Sequence, residues 1–475
     1  MPRKPLSILL SLAALISGST LLQGAQGGYM NDSFDTLVSR KLLSDSLPSL
    51  ARKPAPKAGS EAGGERAQGV STQKPNDSST ETVLRLEDLI AEALANNPEI
   101  EAAERMVDAK RAVAPQQRTL PDPMISGGWA GNIVPPFSVQ TGDPSSARML
   151  GFSQEIPFPG KLALRGRIAD TEATAEQWNY ERTKLAVISN LKQTYYDLFF
   201  IEKAIATVQK DKDLLEKLAQ IAEARYAVGK GMQQDVIRAQ VEISKLLERL
   251  TLLEQREGVA QAMLRSLLNR PPDAPIGVPA DVTKTEMPYS LNEIQAIAEA
   301  HSPDLKSQER EIDKNQLALS LAKKDYYPDF GVGFTYFNRP QLPEMYSFNF
   351  TAKVPIYFWK KQRYGVEEAA STLVSSRKRT EAVKTNLFFK MKDQYLAMKA
   401  SERLMDLYSK AIVPQSTLAL DSSLSGYQVG NIDFLSMLSN FLTVLDYELN
   451  YYDSLTNYQK AVARLEEVIG TALSK

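Results

Sequence analysis

The residue types that usually carry covalent or metal chemistry are almost absent from this sequence of 475 residues. It contains no cysteine, which excludes disulfides, thiolate catalysis and cysteine-based metal sites. The single histidine, His301, precedes Ser302-Pro303, where a helix is predicted to start, and we expect an ordinary loop residue there. The chain also lacks a phosphate-binding glycine motif and a paired-carboxylate motif. We therefore predict that the protein is not an enzyme and has no catalytic residue, no cofactor and no metal site.

Two further groups of residues could take part in chemistry, but each has a simpler interpretation. Met391, Met398 and Met405 recur every seven residues, and their thioethers could line a path for soft metal ions. We favour a packed core seam, because methionine fills irregular gaps between helices. The charged run Lys210–Asp213 is predicted to be a solvated helix face. The formal net charge of −1 gives no indication of a nucleic-acid partner.

Apolar and polar residues alternate in two neighbouring runs, Asp329–Asn338 and Tyr346–Pro355. The apolar positions are Phe330, Val332, Phe334, Tyr336, Tyr346, Phe348, Phe350, Ala352 and Val354. Because successive side chains of a strand point to opposite faces, the pattern predicts a hairpin with one apolar face and one polar or small face. Each strand has about the nine to eleven residues that a tilted strand needs to cross a bilayer.

The N-terminus has the pattern of an export signal. Arg3 and Lys4 precede an apolar run, and small residues follow at a plausible cleavage site, so residues 1–27 are predicted to be a secretory signal peptide. Residues 28–82 are rich in small, polar and charged residues and are predicted to be disordered, because they cannot bury enough apolar surface. Elsewhere we find no run of about 18 apolar residues, so any membrane crossing is expected to use strands.

Long helices are predicted to dominate the rest of the chain. Residues 161–228 contain no proline, and their apolar residues recur at intervals of three and four. A helix of this length spans about 100 Å. Gly229-Lys-Gly231 turns the chain, and residues 236–267 continue as a coiled-coil seam. Nearer the N-terminus, Asn97 is predicted to cap a helix that starts at Pro98.

Five landmarks recur in the same order, between 198 and 207 residues apart, which indicates an internal duplication. The landmarks begin at Leu86 and Leu291, Asn97 and Ser302, Leu120 and Tyr327, Glu155 and Lys353, and Tyr226 and Tyr427. We predict a first structural repeat over residues 83–270, with a strand pair at about 124–156. A proline-rich linker, 271–290, leads to a second repeat over 291–475, with a strand pair at about 329–355. Each repeat is predicted to contain two helices, two strands, a very long helix, a turn and a long helix.

Four strands in one chain cannot close a membrane barrel. In lipid every backbone N–H and C=O group needs a partner, and an open four-stranded sheet leaves two bare edges. The smallest membrane barrels use eight strands, and three chains of this kind would supply twelve. We therefore predict an α+β membrane protein in which several chains share one β-barrel. The long antiparallel helices are expected to form a hollow α-barrel that continues from it.

The order of elements, the duplication, the Asn97-Pro98 and Ser302-Pro303 helix starts and the two Tyr-x-Val-Gly turns resemble the TolC family of outer-membrane efflux channels. The resemblance implies a homotrimer whose twelve-stranded barrel contacts outer-membrane lipid and whose α-barrel extends into the periplasm. It also implies passive conduction of substrates from the periplasm to the exterior, with a periplasmic adaptor protein and an inner-membrane pump as partners. The stretch Gln154–Lys161 is most similar to members that serve heavy-metal resistance-nodulation-division pumps, so heavy-metal ions are one candidate class of substrate.

The same resemblance implies a periplasmic gate at the turns between paired long helices. The residues of these tip turns are Tyr226, Gly229 and Gly430. Asp235 is expected to bond Tyr427 and so help to keep the tube closed. The matching acidic position of the second half is Ser436, so Asp433 is the candidate for an inner ring of carboxylates that attracts cations. For Asp235 and Asp433 the sequence leaves a second interpretation open, in which they only cap the returning helices.

A protein of another class is the alternative: a soluble periplasmic coiled-coil adaptor or structural protein with short hairpins at one end. Adaptors of that kind carry one long helical hairpin within β-rich domains, whereas this sequence predicts two hairpins and a duplication. Trp129 and Trp359 lie near predicted strand ends, where such residues often mark membrane interfaces. These features favour the channel.

Overall fold

The computed structural model describes residues 83–131 and 138–473 of the chain. The signal peptide predicted for residues 1–27 and the disorder predicted for residues 28–82 lie outside this part. None of the described helices combines the length and the apolar character that a membrane-crossing helix needs. Within the described ranges the chain forms long helices and one small sheet, as the sequence predicts.

The helices and strands follow the same order in both repeats. The first repeat contains α1 (Leu86–Asn96), α2 (Pro98–Arg118), β1 (Met124–Ala130), β2 (Ala147–Ile156), α3 (Lys161–Ala227) and α4 (Gln233–Leu267). The second repeat begins with α5 (Leu291–His301), α6 (Pro303–Lys324), β3 (Asp329–Asn338) and β4 (Met345–Lys353). It ends with α7 (Lys361–Leu407), a π-helical turn (Tyr408–Ile412), α8 (Val413–Val429) and α9 (Phe434–Ile469).

Asn97 shows how a single side chain sets a helix start and its packing. It is the N-cap of α2, and its side-chain oxygen accepts hydrogen bonds from the backbone N–H groups of Glu99 (2.9 Å) and Ile100 (3.3 Å). Its amide nitrogen donates to the carbonyl of Leu267 at the end of α4 (2.8 Å). The predicted cap is confirmed, and it also ties the start of α2 to the end of α4.

The central helix of the helical layer is α3. It packs against α2 and α4 of its own repeat and against α6 and α9 of the second repeat, while α9 also packs against α7 and α8. The layer therefore ends on α4 at one side and on α7 and α8 at the other. Both outer sides keep exposed apolar residues, namely Ile237, Val241, Leu252, Val259 and Met263 on α4, and Phe389, Leu396, Leu404, Leu407 and Leu418 on α7 and α8.

The methionines with a seven-residue spacing lie in the core. Met391, Met398 and Met405 are all buried on α7, in a cluster with Leu387 and with Leu465 of α9. The interpretation of these residues as a packed seam is therefore confirmed.

A π-helical turn interrupts the path from α7 to α8, which the sequence pattern does not predict. The Val413 N–H group donates to the Tyr408 carbonyl, five residues back. Pro414 follows in the first turn of α8 and has no N–H group to donate. A wider turn accommodates the proline ring and its missing hydrogen bond. The equivalent helix of the first repeat, α3, runs for 67 residues without such a break.

The prediction of a fully solvated charged run on α3 was wrong at Asp211. Four consecutive helical residues cover the whole circumference of a helix, so the run Lys210–Asp213 must reach the packed side. Asp211 is only 7% exposed and lies between the buried residues Val208 and Leu215. Burial raises the pKa of Asp211 to about 6, and the charge of Glu448 on α9 adds to this effect, while Lys210 opposes it.

His301 is also placed differently from the expectation of a loop residue. It is the last residue of α5, where its ring Nδ1 lies 3.2 Å from the Ile297 carbonyl oxygen. The helix continues to His301 because the break falls one residue later, at Ser302, which precedes Pro303 and has an extended backbone.

The four strands form one antiparallel sheet in the order β1-β2-β3-β4, so strands from different repeats pair at its centre. The register aligns the apolar faces of both hairpins. Ile125, Phe152, Phe334 and Phe348 form one row that crosses all four strands. Ile125, Phe152 and Phe348 are exposed in the single chain, with Phe348 82% exposed, whereas Phe334 is partly buried. The opposite face is polar or small, with Ser126, Gly151, Thr335 and Ser347 side by side.

Two matching junctions lead from the sheet into the long helices α3 and α7. The first, residues 157–160, is held by Lys161, the first residue of α3, which is 3% exposed. The Lys161 ammonium group lies 2.9 Å from Asp329 Oδ1 and 3.2 Å from Asp325 Oδ1. Asp329 Oδ1 also accepts from the backbone N–H group of Phe158 (2.8 Å), whose ring stacks on Tyr327 at 4.6 Å. This junction is sealed by contacts between the two repeats.

The second junction, residues 354–360, has no comparable seal. Its apolar side chains, Val354, Ile356, Tyr357, Phe358 and Trp359, are all exposed. The matching first residue of α7, Lys361, is exposed as well. The two junctions therefore share a position in the duplicated chain but differ in burial.

Candidate functional site

The candidate gate lies at the end of the helical layer that is far from the sheet, where tight turns join α3 to α4 and α8 to α9. Gly229 has a φ of +72° and donates its N–H to the Tyr226 carbonyl (2.9 Å). Gly430 has a φ of +86° and donates to the Tyr427 carbonyl (3.1 Å). Left-handed backbone of this kind favours glycine, so the two turns have the same local cause.

The two tip tyrosines have different surroundings, although the duplication makes them equivalent. Tyr427 is 4% exposed, and its ring meets Phe434 edge to face, with 5.6 Å between the ring centres. Tyr226 is 46% exposed. Burial raises the pKa of Tyr427, the nearby Arg225 charge opposes this shift, and the Asp235 charge adds to it.

Arg225 joins the two turns, and sequence reasoning missed it. Its guanidinium group donates a hydrogen bond to the Tyr427 carbonyl oxygen and lies 4.7 Å from the centre of the Tyr427 ring. A guanidinium nitrogen also stands 3.3 Å from the place that a Cβ atom on Gly430 would take. The only sequence signal is position, because Arg225 directly precedes the first Tyr-x-Val-Gly turn and Gly426 directly precedes the second.

Asp235 lies in the first turn of α4, close to these residues but without the bond that we expected. Among the described residues, no hydrogen bond joins the Asp235 carboxylate to the Tyr427 hydroxyl, although the two interact through charge. Asp235 is not the N-cap either, since that position belongs to Met232. Its negative charge in the first turn is favourable for the helix dipole. The gate role of Asp235 stays a prediction.

Asp433 has the capping geometry that was its alternative interpretation. It is the N-cap of α9, and its carboxylate accepts a hydrogen bond from the Ser436 backbone N–H (3.2 Å). Hydrogen bonds from Ser436, first of the side chain and then of the backbone, hold the pKa of Asp433 below its usual range. The carboxylate therefore stays ionised at the tip.

This arrangement can hold two helical hairpins together without covalent chemistry. At a partly exposed site, a charged hydrogen bond and a cation–π contact contribute about 1 kcal/mol each. Interactions of that size can keep the hairpins together and still be broken when a partner binds the separated state more tightly. In residues 83–131 and 138–473, no group of three or more His, Asp or Glu side chains could hold a metal ion.

A sheet with one apolar and one polar face therefore lies at one end of the long helices, and the contacts of Arg225 join two helical hairpins at the other end. The chain belongs to the outer membrane efflux protein family, which matches residues 89–270 and 296–471. One match falls in each repeat, as the internal duplication predicts. Membership places the chain among outer-membrane efflux proteins and is not compatible with the adaptor alternative.

Similar proteins agree with this assignment. The toxin and drug export protein A of Aggregatibacter actinomycetemcomitans is 25% identical over 266 residues, which are 52% of this chain and 55% of that protein. Nodulation protein T of Rhizobium leguminosarum bv. trifolii is 19% identical over 419 residues, with 80% and 84% coverage. The chain spans about half the length of the first of these curated relatives.

Among solved structures, the open state of the Neisseria gonorrhoeae MtrE outer membrane channel has the same fold. The TM-score is 0.69 at 18% identity, and the match covers 82% of this chain and 90% of that chain. At this identity the likeness concerns the fold alone.

Proposed function

We propose that the protein is the channel subunit of a tripartite efflux system and passively conducts substrates across the outer membrane. The proposed function involves no covalent step: the protein lines a passage and gates it rather than catalysing a reaction. One observation carries it: the sheet has an apolar face that crosses all four strands, and within the described ranges its two edges, β1 and β4, are unpaired. A sheet of this kind suits lipid only if further strands pair with those edges.

Both layers of the molecule support closure by copies of the same chain. The sheet begins with β1 of the first repeat and ends with β4 of the second. The helical layer likewise has α4 of the first repeat at one side and α7 and α8 of the second repeat at the other. Head-to-tail association would pair β4 with the next β1 and cover the exposed apolar residues of the outer helices. Repeated contacts of this type close into a ring when the rotation between neighbouring copies divides a full turn. Three copies give a homotrimer with a twelve-stranded barrel.

The tip turns form the periplasmic gate of this channel. In each copy the Arg225 latch holds the α8–α9 hairpin against the α3–α4 hairpin, and opening requires its release. Asp433 caps α9 and stays ionised, so three copies would also bring three carboxylates to the tip, where they attract cations. We assign Asp235 a weaker electrostatic role beside Tyr427.

The partners that we propose are a periplasmic adaptor protein and an inner-membrane pump, and the pump selects the substrates. Heavy-metal ions remain one candidate class, suggested only by the stretch Gln154–Lys161. The structure gives that stretch a packing role as well: Lys161 is buried in an ion pair, and the Gln154 amide donates to the Pro121 carbonyl (2.7 Å).

A matched pair of substitutions on neighbouring residues of β4 tests the proposal. Phe348 points to the apolar face and Asn349 to the polar face. Phe348→Arg places a charge in lipid, at a cost of about 2 to 4 kcal/mol, whereas Asn349→Arg places it in the lumen. We expect the native protein and Asn349→Arg to be extracted from the outer membrane with the mass of three chains, and Phe348→Arg to be lost from that fraction. Recovery of the native protein as a water-soluble monomer or dimer from the periplasm would overturn the channel proposal.

A further inference from the structure

The second junction continues into a surface of unusual composition, which we call the aromatic–basic surface, residues 356–364. Its aromatic residues are Tyr357, Phe358, Trp359 and Tyr364, and its cations are Lys360, Lys361 and Arg363. No acidic residue occurs within it, and the next one in the chain is Glu367. Basic residues interleaved with aromatic residues therefore form a continuous stretch at the boundary between β4 and α7.

Three of these aromatic side chains, Tyr357, Phe358 and Trp359, contact one another, and all four are exposed. The Trp359 ring meets the Phe358 ring at 5.2 Å and the Tyr357 ring at 6.0 Å, both nearly perpendicular. Trp359 is 52% exposed, and the other rings are exposed to a similar or greater degree. A contiguous apolar surface of this kind indicates a site of interaction, with another macromolecule or with a membrane.

The three cations of the surface are exposed and stand apart from carboxylates. Among the described residues, none of Lys360, Lys361 and Arg363 forms an ion pair, in contrast to Lys161 at the first junction. Unpaired positive charge beside exposed aromatic rings is complementary to a ligand that carries both an anionic group and apolar chains.

The position of the surface relative to the sheet identifies that ligand. It follows β4 directly, at the end where the apolar face of the sheet gives way to the helices. In a membrane-inserted sheet this is the level of the lipid headgroups, where tryptophan and tyrosine are enriched and where Lys and Arg are attracted to anionic lipids. We infer that the aromatic–basic surface binds the phosphate of an anionic phospholipid at the periplasmic side of the membrane. This inference rests on the proposed channel function.

A neighbouring copy of the chain is the other occupant to consider. In the proposed ring, β4 would lie beside the next β1, and the segment before that strand is residues 119–123. Asp122 is its only acidic residue, and Arg118 just before it is already paired with Asp170. One carboxylate does not balance three cations, so charge complementarity favours the lipid.

The test uses the purified full-length protein in detergent and native mass spectrometry, with phosphatidylglycerol or phosphatidylcholine added as the probe. The variant Lys360→Gln/Lys361→Gln/Arg363→Gln removes the three cations. The control Arg377→Gln/Arg379→Gln/Lys390→Gln removes three exposed cations of α7 away from the junction. We expect the native trimer and the control to bind phosphatidylglycerol more tightly than phosphatidylcholine, and the first variant to lose about tenfold or more of its affinity for phosphatidylglycerol.

Two results would overturn the inference while leaving the channel intact. Equal phosphatidylglycerol binding by both variants would show that these cations do not contact the lipid. Dissociation of the first variant into single chains would assign the surface to the contact between copies instead. Failure of the native protein to form a trimer would be a failure of the proposed function, and it is visible in the same spectra before any lipid is added.

Discussion

Lys161 and Lys361 each begin the longest helix of their repeat, 200 residues apart, yet one is sealed in an ion pair and the other is exposed. At the opposite end of the same helical paths the relation is reversed, since Tyr226 of the first repeat is exposed and Tyr427 of the second is buried. Each repeat therefore has a buried residue at one of these two positions and an exposed residue at the other. The duplication has preserved the backbone path, while the side-chain surroundings have become complementary.

From this difference we expect the two repeats to have different mechanical roles. The first repeat has an uninterrupted α3 and a sealed junction, which suits a rigid support. The second repeat has the π-helical turn before Pro414 and an open junction, and its tip is held to the first repeat by Arg225. Motion at the tip is therefore expected to involve α8 and α9 more than α3 and α4.

The largest expected effect comes from exchanging matched residues at the two junctions. Lys161→Met leaves Asp329 partly buried without its cation, which should cost about 3 to 5 kcal/mol of folding free energy. Lys361→Met removes an exposed charge and should change stability by less than about 0.5 kcal/mol. Thermal unfolding of the two variants in detergent compares them directly. Equal changes in melting temperature would show that the buried Lys161 does not stabilise the fold more than the exposed Lys361 does.

The next largest effect is expected at Asp211 of α3. The residue at the matching position of the second repeat is the apolar Ile412. Because the folded state raises the pKa of Asp211 from 3.8 to about 6, it binds the proton more tightly than the unfolded chain. Stability is thus lost as pH rises through this window, and the loss above it is at most about 3 kcal/mol, because solvent screening reduces the effect of the charge.

Asp211→Asn should remove that pH dependence and raise the melting temperature at neutral pH, with no gain below about pH 4. Asp213→Asn is the matched control, since Asp213 is exposed and contacts Gln209 and Lys212. Melting temperatures measured across the pH range check both. A native protein whose stability is flat between pH 4 and pH 7 would contradict the prediction.

A smaller effect is expected from the contact that joins the two tips. Arg225→Ala removes the hydrogen bond to the Tyr427 carbonyl and the cation–π contact, together about 2 kcal/mol. The α8–α9 hairpin should then separate more readily, and single-channel conductance in planar bilayers should rise. Lys230→Ala in the same turn is the control and should leave conductance unchanged. If both variants behave alike, Arg225 is not a latch.

The smallest effects are expected at Asp235 and Tyr427, which interact through charge in this conformation. Asp235→Ala and Tyr427→Phe should each raise single-channel conductance slightly, because each removes a polar group from the closed tip. Unchanged conductance in both variants would leave Asp235 with a purely helix-stabilising role.

Much of the fold could be predicted because it follows from periodic patterns. Alternation identified the strands, spacing of three and four identified the long helices, and recurring turns such as those at Gly229 and Gly430 revealed the duplication. The cap at Asn97 and the methionine seam were likewise local in origin. Such features depend on neighbours in sequence, so one chain suffices to recognise them.

The missed features depend on residues that are distant in sequence. Arg225 gains its role from Tyr427, about 200 residues away, and Asp211 is buried by a helix that contains Glu448. The π-helical turn depends on how Pro414 is accommodated within a packed helix, which its local sequence does not specify. The expected bond between Asp235 and Tyr427 came from resemblance alone, and the geometry of this chain does not provide it.

The pairing of β2 with β3 has a consequence for the timing of synthesis and export. Its partners lie between 174 and 190 residues apart, so the sheet is complete only after about three quarters of the chain has emerged. Until then the first hairpin exposes an apolar face and an unpaired edge, the state in which chains aggregate. A chaperone that binds this first hairpin during transit would therefore protect the part of the described sheet that is made before its pairing partner, β3.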